Sequence, residues 1–157
     1  GKPGPLAEQT SESYAGMFDT NVLGTLLSLK HELRVMQPQG SGSIINISST
    51  MGERGAVNLA LYTASKHAVE GLTKAAALEV AEYGVRVNVV APGPIDTGML
   101  NRFTGTAEKK AALVAGVPLK RVGSPEEIAQ TILFVASDKA SFITGHIIAA
   151  DGGKLAS

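Results

Sequence analysis

The sequence predicts an α/β fold, a partial doubly wound parallel sheet with flanking helices, on three observations. Short β-branched apolar runs occur at 44–48 ("IINIS") and 85–91 ("VRVNVVA"), and a weaker one sits in "HIIAADGG" at 146–153. Longer stretches with apolar residues every three or four positions separate them. Strand, helix, strand, helix, strand implies a parallel sheet with right-handed crossovers.

The elements follow in order. Thr10 or Ser11 is placed to cap a first helix over about 11–36, in which Met17, Phe18, Val22, Leu26, Leu29 and Leu33 form an apolar stripe. "PQGSGS" is expected to end it. "IINIS" reads as a strand buried on both faces, because it does not alternate with polar residues. "TMGERGAVNLA" is a glycine-punctuated loop. A second, alanine-rich helix is expected over about 62–83, with Gly84 placed to stop it. After the second strand, "PGPIDTGM" is a turn holding two prolines, and residues from about 100 to 122 carry only weak helical signals. "SPEE" at 124–127 is a strong helix start, with cap, N1 proline and N3 glutamate in place. There are no internal repeats and no low-complexity tract.

Composition bounds the function. The 157 residues suffice for one domain with a real core, and 44% hydrophobic with 18% charged residues fits a globular protein. Fourteen basic and fourteen acidic residues cancel, leaving no surplus for nucleic acid or an anionic membrane. The absence of cysteine excludes disulfides and thiolate metal sites and suits a cytoplasmic location. The histidines, His31, His67 and His146, lack metal-ligand spacing, so no metal site is expected. No apolar run reaches the length of a membrane span. The opening "GKPGPLAEQT" reads as a loop that enters a domain midway, or as a tag remnant followed by a flexible end.

Ligands of open α/β sheets bind beyond the carboxyl ends of the strands. Three segments leave such ends: "SSTMG", "PGPIDTG" and "DGG". Just after the first of these lies "YTASK", with Tyr62 and Lys66 four residues apart and only small residues between. On a helix such a pair shares one face, with Cβ atoms roughly 6 Å apart. A tyrosine hydroxyl ordinarily titrates near pH 10, too high for a base near neutrality. An ammonium about 4 Å away, at an effective dielectric of about 20, favours the phenolate by up to about 4 kcal/mol.

Taken in order, "NVLG", "IINISS", "YTASK", "NVVAPGPIDTGM" and "TGHIIAADGG" resemble the short-chain dehydrogenase/reductase family, over essentially the whole chain. The resemblance implies an NAD(P)-dependent oxidoreductase that interconverts an alcohol and a ketone or aldehyde. It places the catalytic set at Asn21, Ser49, Tyr62 and Lys66. Ser48 and Ser49 both qualify on residue type, and the family spacing of thirteen to the tyrosine selects Ser49. Tyr62 would exchange a proton with the substrate oxygen, Lys66 would also hold the nicotinamide ribose, Ser49 would bond the substrate carbonyl, and Asn21 would support a water-linked proton path. Pro92, Gly93, Ile95 and Thr97 match the loop that lines the nicotinamide. Residues after Thr97, to about Gly116, correspond to a substrate lid. Family members are commonly dimers or tetramers, so a homo-oligomer is expected.

The family's glycine-rich turn for the cofactor pyrophosphate is not found. "GSGSII" at 40–45 has two of the glycines of that fingerprint, but Ile45 stands where the third belongs, and the segment precedes a strand instead of following one. The chain therefore matches the C-terminal portion of one Rossmann-type domain, without the first βαβαβ half. An alternative from another class is a non-catalytic, self-associating fragment that binds no dinucleotide.

Overall fold

A computed structural model describes residues 3–157; Gly1 and Lys2 of the opening loop lie outside the described residues. Three parallel strands, β1 (Gly42–Ile47), β2 (Val85–Pro92) and β3 (Ile147–Ala150), pair in the order β1-β2-β3. Ile44 pairs in register with Val87, and Val90 with Ile148. The α/β reading and the strand order along the chain hold.

The first helical stretch is longer and less regular than the periodicity predicts. α1 (Ser11–Phe18) passes through a π-helical turn at Asp19–Leu23 into α2 (Gly24–Gln39). Thr10 caps it, accepting from the Ser13 amide at 3.2 Å. Pro38 does not end it: the proline sits in the last turn, where its missing N–H removes one bond only. The stop is Gly40, in the left-handed region at φ 72°, whose amide reaches back to the carbonyls of Met36 and Gln37.

α3 (Ala60–Val80) runs on through a 3-10 turn at Ala81–Tyr83, and Gly84 stops it at φ 71° as expected. Its inward face carries Ser65, Val69, Glu70, Thr73, Ala76, Ala77 and Val80. Ala76, Ala77 and Val80 pack with Leu29 of α2, Ile44 of β1, and Val85 and Val87 of β2 to form the core. Small residues on α3 let the helix approach the sheet closely, and β2 lies between two partners with six buried residues in its eight.

β1 departs from expectation. Ile44, Asn46 and Ser48 alternate toward α3, where Asn46 donates to the Thr73 hydroxyl at 2.8 Å. The other face is only partly covered, and Ile47 is 43% exposed. The physical reason is position: among the described residues β1 pairs on one side only, so it is an edge strand rather than an inner one.

Beyond β2 the weak signals resolve into α4 (Gly98–Thr104) and α5 (Ala107–Ala115), separated by Gly105 at φ 69°. Thr97 and Thr106 cap them. α6 (Pro125–Ala136) starts with the capping box read from "SPEE": Ser124 accepts from the Glu127 amide at 3.2 Å, and Glu127 accepts from the Ser124 amide at 2.8 Å. Among the described residues no helix is long and apolar enough to cross a membrane.

Candidate active site

The strand ends β1 and β2, the start of α3 and the π turn meet at one end of the sheet. Ser48 and Ser49 follow β1 directly. Extended backbone at Ser49 leads into a 3-10 turn at Thr50–Gly52, which packs against α3. Within the turn Gly52 donates its amide to the Ser49 carbonyl at 2.8 Å, and Met51 donates its amide to Ser49 Oγ at 3.2 Å.

Tyr62 and Lys66 sit on the first turns of α3, both half-buried. The Lys66 Nζ lies 5.7 Å from the centroid of the Tyr62 ring. It donates to the carbonyl oxygen of Ile47, the last residue of β1, at 3.0 Å. An ammonium has three N–H donors, so two stay available for other acceptors. Burial pulls the Lys66 ammonium below the ordinary lysine value, opposed by the negative charge of Glu70 one turn later.

Asn21 lies in the π turn. Its amide nitrogen donates to Ser65 Oγ at 3.0 Å and contacts the Met17 sulfur at 3.2 Å. Ser65 Oγ in turn donates to the carbonyl oxygen of Tyr62 at 2.8 Å. Thr25 donates to the Asn21 carbonyl at 2.8 Å. The extra residue of a π turn redirects a side chain without ending the helix. Here it turns Asn21 toward α3, so Asn21, Ser65 and Tyr62 form one chain of hydrogen bonds. The periodicity of the sequence carries no signal for this turn.

The loop after β2 is tied from two sides. Gly93 donates to the Ala150 carbonyl at 3.0 Å, at the end of β3. Ile95 makes an isolated parallel bridge with Gly123, and Gly123 donates to the Pro94 carbonyl at 3.0 Å. Thr97 is exposed; its hydroxyl accepts from the Leu100 amide and donates to the Ile95 carbonyl, each at 3.4 Å. Pro92 and Gly93 therefore border the same strand end as Ser49, while Ile95 and Thr97 lie farther out along the loop. No group of three or more histidine, cysteine or acidic residues able to hold a metal occurs among the described residues.

Two neighbours were not singled out by sequence. Ser65 hides among the small residues of "YTASK". Glu70 sits four residues beyond Lys66 on the inward face of α3, and a charged residue on that face was the available signal.

Comparisons with known proteins identify the family of the chain. An enoyl-(acyl carrier protein) reductase family model matches residues 1–154. The cis-4-hydroxycyclohexanecarboxylate dehydrogenase of Sinomonas cyclohexanicum is 42% identical over 149 residues, which are 95% of this chain and 59% of that protein. The 3-oxoacyl-[acyl-carrier-protein] reductase of Chlamydia muridarum is 40% identical over 149 residues, 94% of this chain and 59% of that one. Among solved structures, levodione reductase superposes with a TM-score of 0.98 at 34% identity, covering 100% of this chain and 63% of that chain. A gluconate 5-dehydrogenase from Burkholderia cenocepacia, in complex with NADP and tartrate, gives 0.95 at 30% identity, covering 99% and 61%. The chain thus spans about three fifths of the length of the relatives it matches. On the family match and these identities, the chain belongs to the short-chain dehydrogenase/reductase family.

Proposed function

We propose that the protein is an NAD(P)-dependent oxidoreductase that interconverts a small-molecule alcohol with its ketone or aldehyde. The observation that carries this reading is the Lys66 ammonium, held by the Ile47 carbonyl beside the Tyr62 ring and partly withdrawn from water. In oxidation the Tyr62 oxygen takes the hydroxyl proton of the substrate; in reduction it returns that proton to the carbonyl oxygen. Lys66 places positive charge where the phenolate forms and offers its two remaining N–H groups to ribose hydroxyls. Ser49 Oγ donates to the substrate oxygen. Asn21, through Ser65, fixes the start of α3 and supports a water-linked path for the proton.

The residues present fit the nicotinamide end of a dinucleotide: Lys66 has free donors, and Pro92, Gly93, Ile95 and Thr97 form a braced loop beside the strand ends. When bound, the nicotinamide supplies the hydride donor or acceptor. The relative in complex with NADP supports the same choice of cofactor class. The domain is read as the C-terminal portion of one Rossmann-type unit, cytoplasmic and homo-oligomeric.

One observation favours a second reading, a self-associating core without catalysis. Leu23 of the π turn, Leu26 and Leu27 of α2 and Ile47 of β1 are 43–46% exposed. Titrating NADH and NADPH into the full natural polypeptide, with cyclohexanol and cis-4-hydroxycyclohexanecarboxylate as trial substrates, separates the two. Micromolar binding of either cofactor and turnover support the enzyme. Binding of neither, with a self-associated state, supports the core alone.

A further inference from the structure

Glu70 is 4% exposed and therefore a buried carboxyl. Among the described residues its one side-chain partner is the Ser48 hydroxyl, which donates to Oε1 at 2.7 Å. Among the described residues no cation stands within ion-pair distance of it. Burying a carboxyl without a countercharge is costly, and an apolar residue of similar size would fill such a space more cheaply. Packing alone therefore does not account for it.

The surroundings point to a different role. Tyr62, Lys66 and Glu70 follow at four-residue intervals on α3 and share one helix face. Ser48 directly follows β1, and Gly52 ends the 3-10 turn that comes next. A Cβ on Gly52 would collide with the Glu70 carboxylate and come within 2.6 Å of Ser48 Oγ. The carboxyl thus touches both ends of the five residues from Ser48 to Gly52. Ser49 lies between them, and its carbonyl and hydroxyl take the amides of Gly52 and Met51.

We infer that Glu70 is a positioning residue: with Ser48 and Gly52 it clamps the turn carrying Ser49 to the helix carrying Tyr62 and Lys66. The role in turnover rests on the function proposed above; the clamp itself does not. Charged and titratable groups reach the carboxyl from both elements packed there: Glu53 beyond the turn, and Lys66, His67 and Lys74 on α3. Burial pushes the carboxyl above its ordinary value, and the Ser48 hydrogen bond and the positive charge of His67 and Lys74 oppose that. Either protonation state offers the Ser48 hydroxyl an acceptor, so glutamine is the conservative replacement and leucine the disruptive one.

The test compares Glu70→Leu, Glu70→Gln and Ser48→Ala in the full natural polypeptide, with Tyr62→Phe as the control. Amide hydrogen exchange reads the clamp independently of activity. Glu70→Leu and Ser48→Ala are expected to speed exchange at Met51 and Gly52 by about tenfold or more while leaving β2 unchanged. They are expected to lower kcat by roughly 10- to 100-fold with cofactor affinity preserved, as a misplaced group does. Glu70→Gln restores both. Unchanged exchange at Met51 and Gly52 in Glu70→Leu overturns the clamp. Faster exchange with wild-type kcat, in a protein that Tyr62→Phe silences, overturns the positioning role. Full turnover in Tyr62→Phe counts against the proposed function instead, and the exchange result then decides the clamp.

Discussion

Lys66 holds its ammonium nitrogen 5.7 Å from the centroid of the Tyr62 ring, one helical turn along α3. The same nitrogen reaches across to the Ile47 carbonyl at 3.0 Å, so the cation bridges α3 and the end of β1. A surface lysine would extend into water. This one is partly buried, which disfavours its charge and calls for a reason other than stability.

Lys66→Met is therefore expected to separate activity from stability. Turnover should fall by about 10²- to 10⁴-fold, the span of a lost contribution to proton transfer. The melting temperature at pH 7 should stay level or rise, because a desolvated charge is replaced by an apolar chain of similar shape. In the wild type the folded state holds the Lys66 proton less tightly than the unfolded chain. Its stability contribution thus rises with pH across the window below the ordinary lysine value of 10.5. A thermal melt series from pH 8 to 10.5 on both proteins checks this.

Asn21→Ala removes the donor to Ser65 while leaving Ser65 bonded to the Tyr62 carbonyl. A single neutral hydrogen bond is worth about 0.5–1.5 kcal/mol. Urea unfolding should report a loss of that size, and turnover should fall because the Tyr62 end of α3 is less firmly held.

Gly93→Ala places a methyl group 2.7 Å from the Asp151 Cα, a backbone atom with no room to give. The loop after β2 must then part from the end of β3. Overpacking of this kind costs about 1–3 kcal/mol. The melting temperature should fall, and affinity for NADH or NADPH should fall with it; an unchanged melt would show that the two segments separate freely.

Acid should loosen the start of α6. The Arg121 guanidinium and the Ser124 amide hold the exposed Glu127 carboxylate down to about 2. Because the folded value lies below the ordinary 4.5, this contribution is complete above pH 4.5 and fades as pH falls toward 2. Glu127→Gln should flatten the acid limb of a melt series between pH 5 and 2. Ser124→Ala should cost about 1 kcal/mol at any pH, as lost N-caps do.

Local chemistry explains which parts of this molecule were legible from residues alone. "SPEE" carries its own start signal, and Gly84 its own stop, so both appear where the sequence puts them. Tyr62 and Lys66 share a face because helix geometry leaves no alternative at that spacing. "IINIS" misled on burial, since an apolar run does not reveal how many neighbours a strand will have. The π turn at Asp19–Leu23 was invisible because side-chain periodicity over one turn cannot distinguish it from an α-helix. In the sequence Glu70 is one charge in an alanine-rich helix. Its meaning depends on Ser48 and Gly52, which are distant in sequence and brought to it by the β1–α3 packing.

The central claim is that Tyr62 moves the substrate proton, and Tyr62→Phe tests it most directly because it removes one oxygen and little else. In the full natural polypeptide the variant should melt as the wild type does and bind NADH or NADPH with similar affinity, while turnover drops by about 10²-fold or more. Turnover equal to wild type in a folded, cofactor-binding Tyr62→Phe protein would contradict the account.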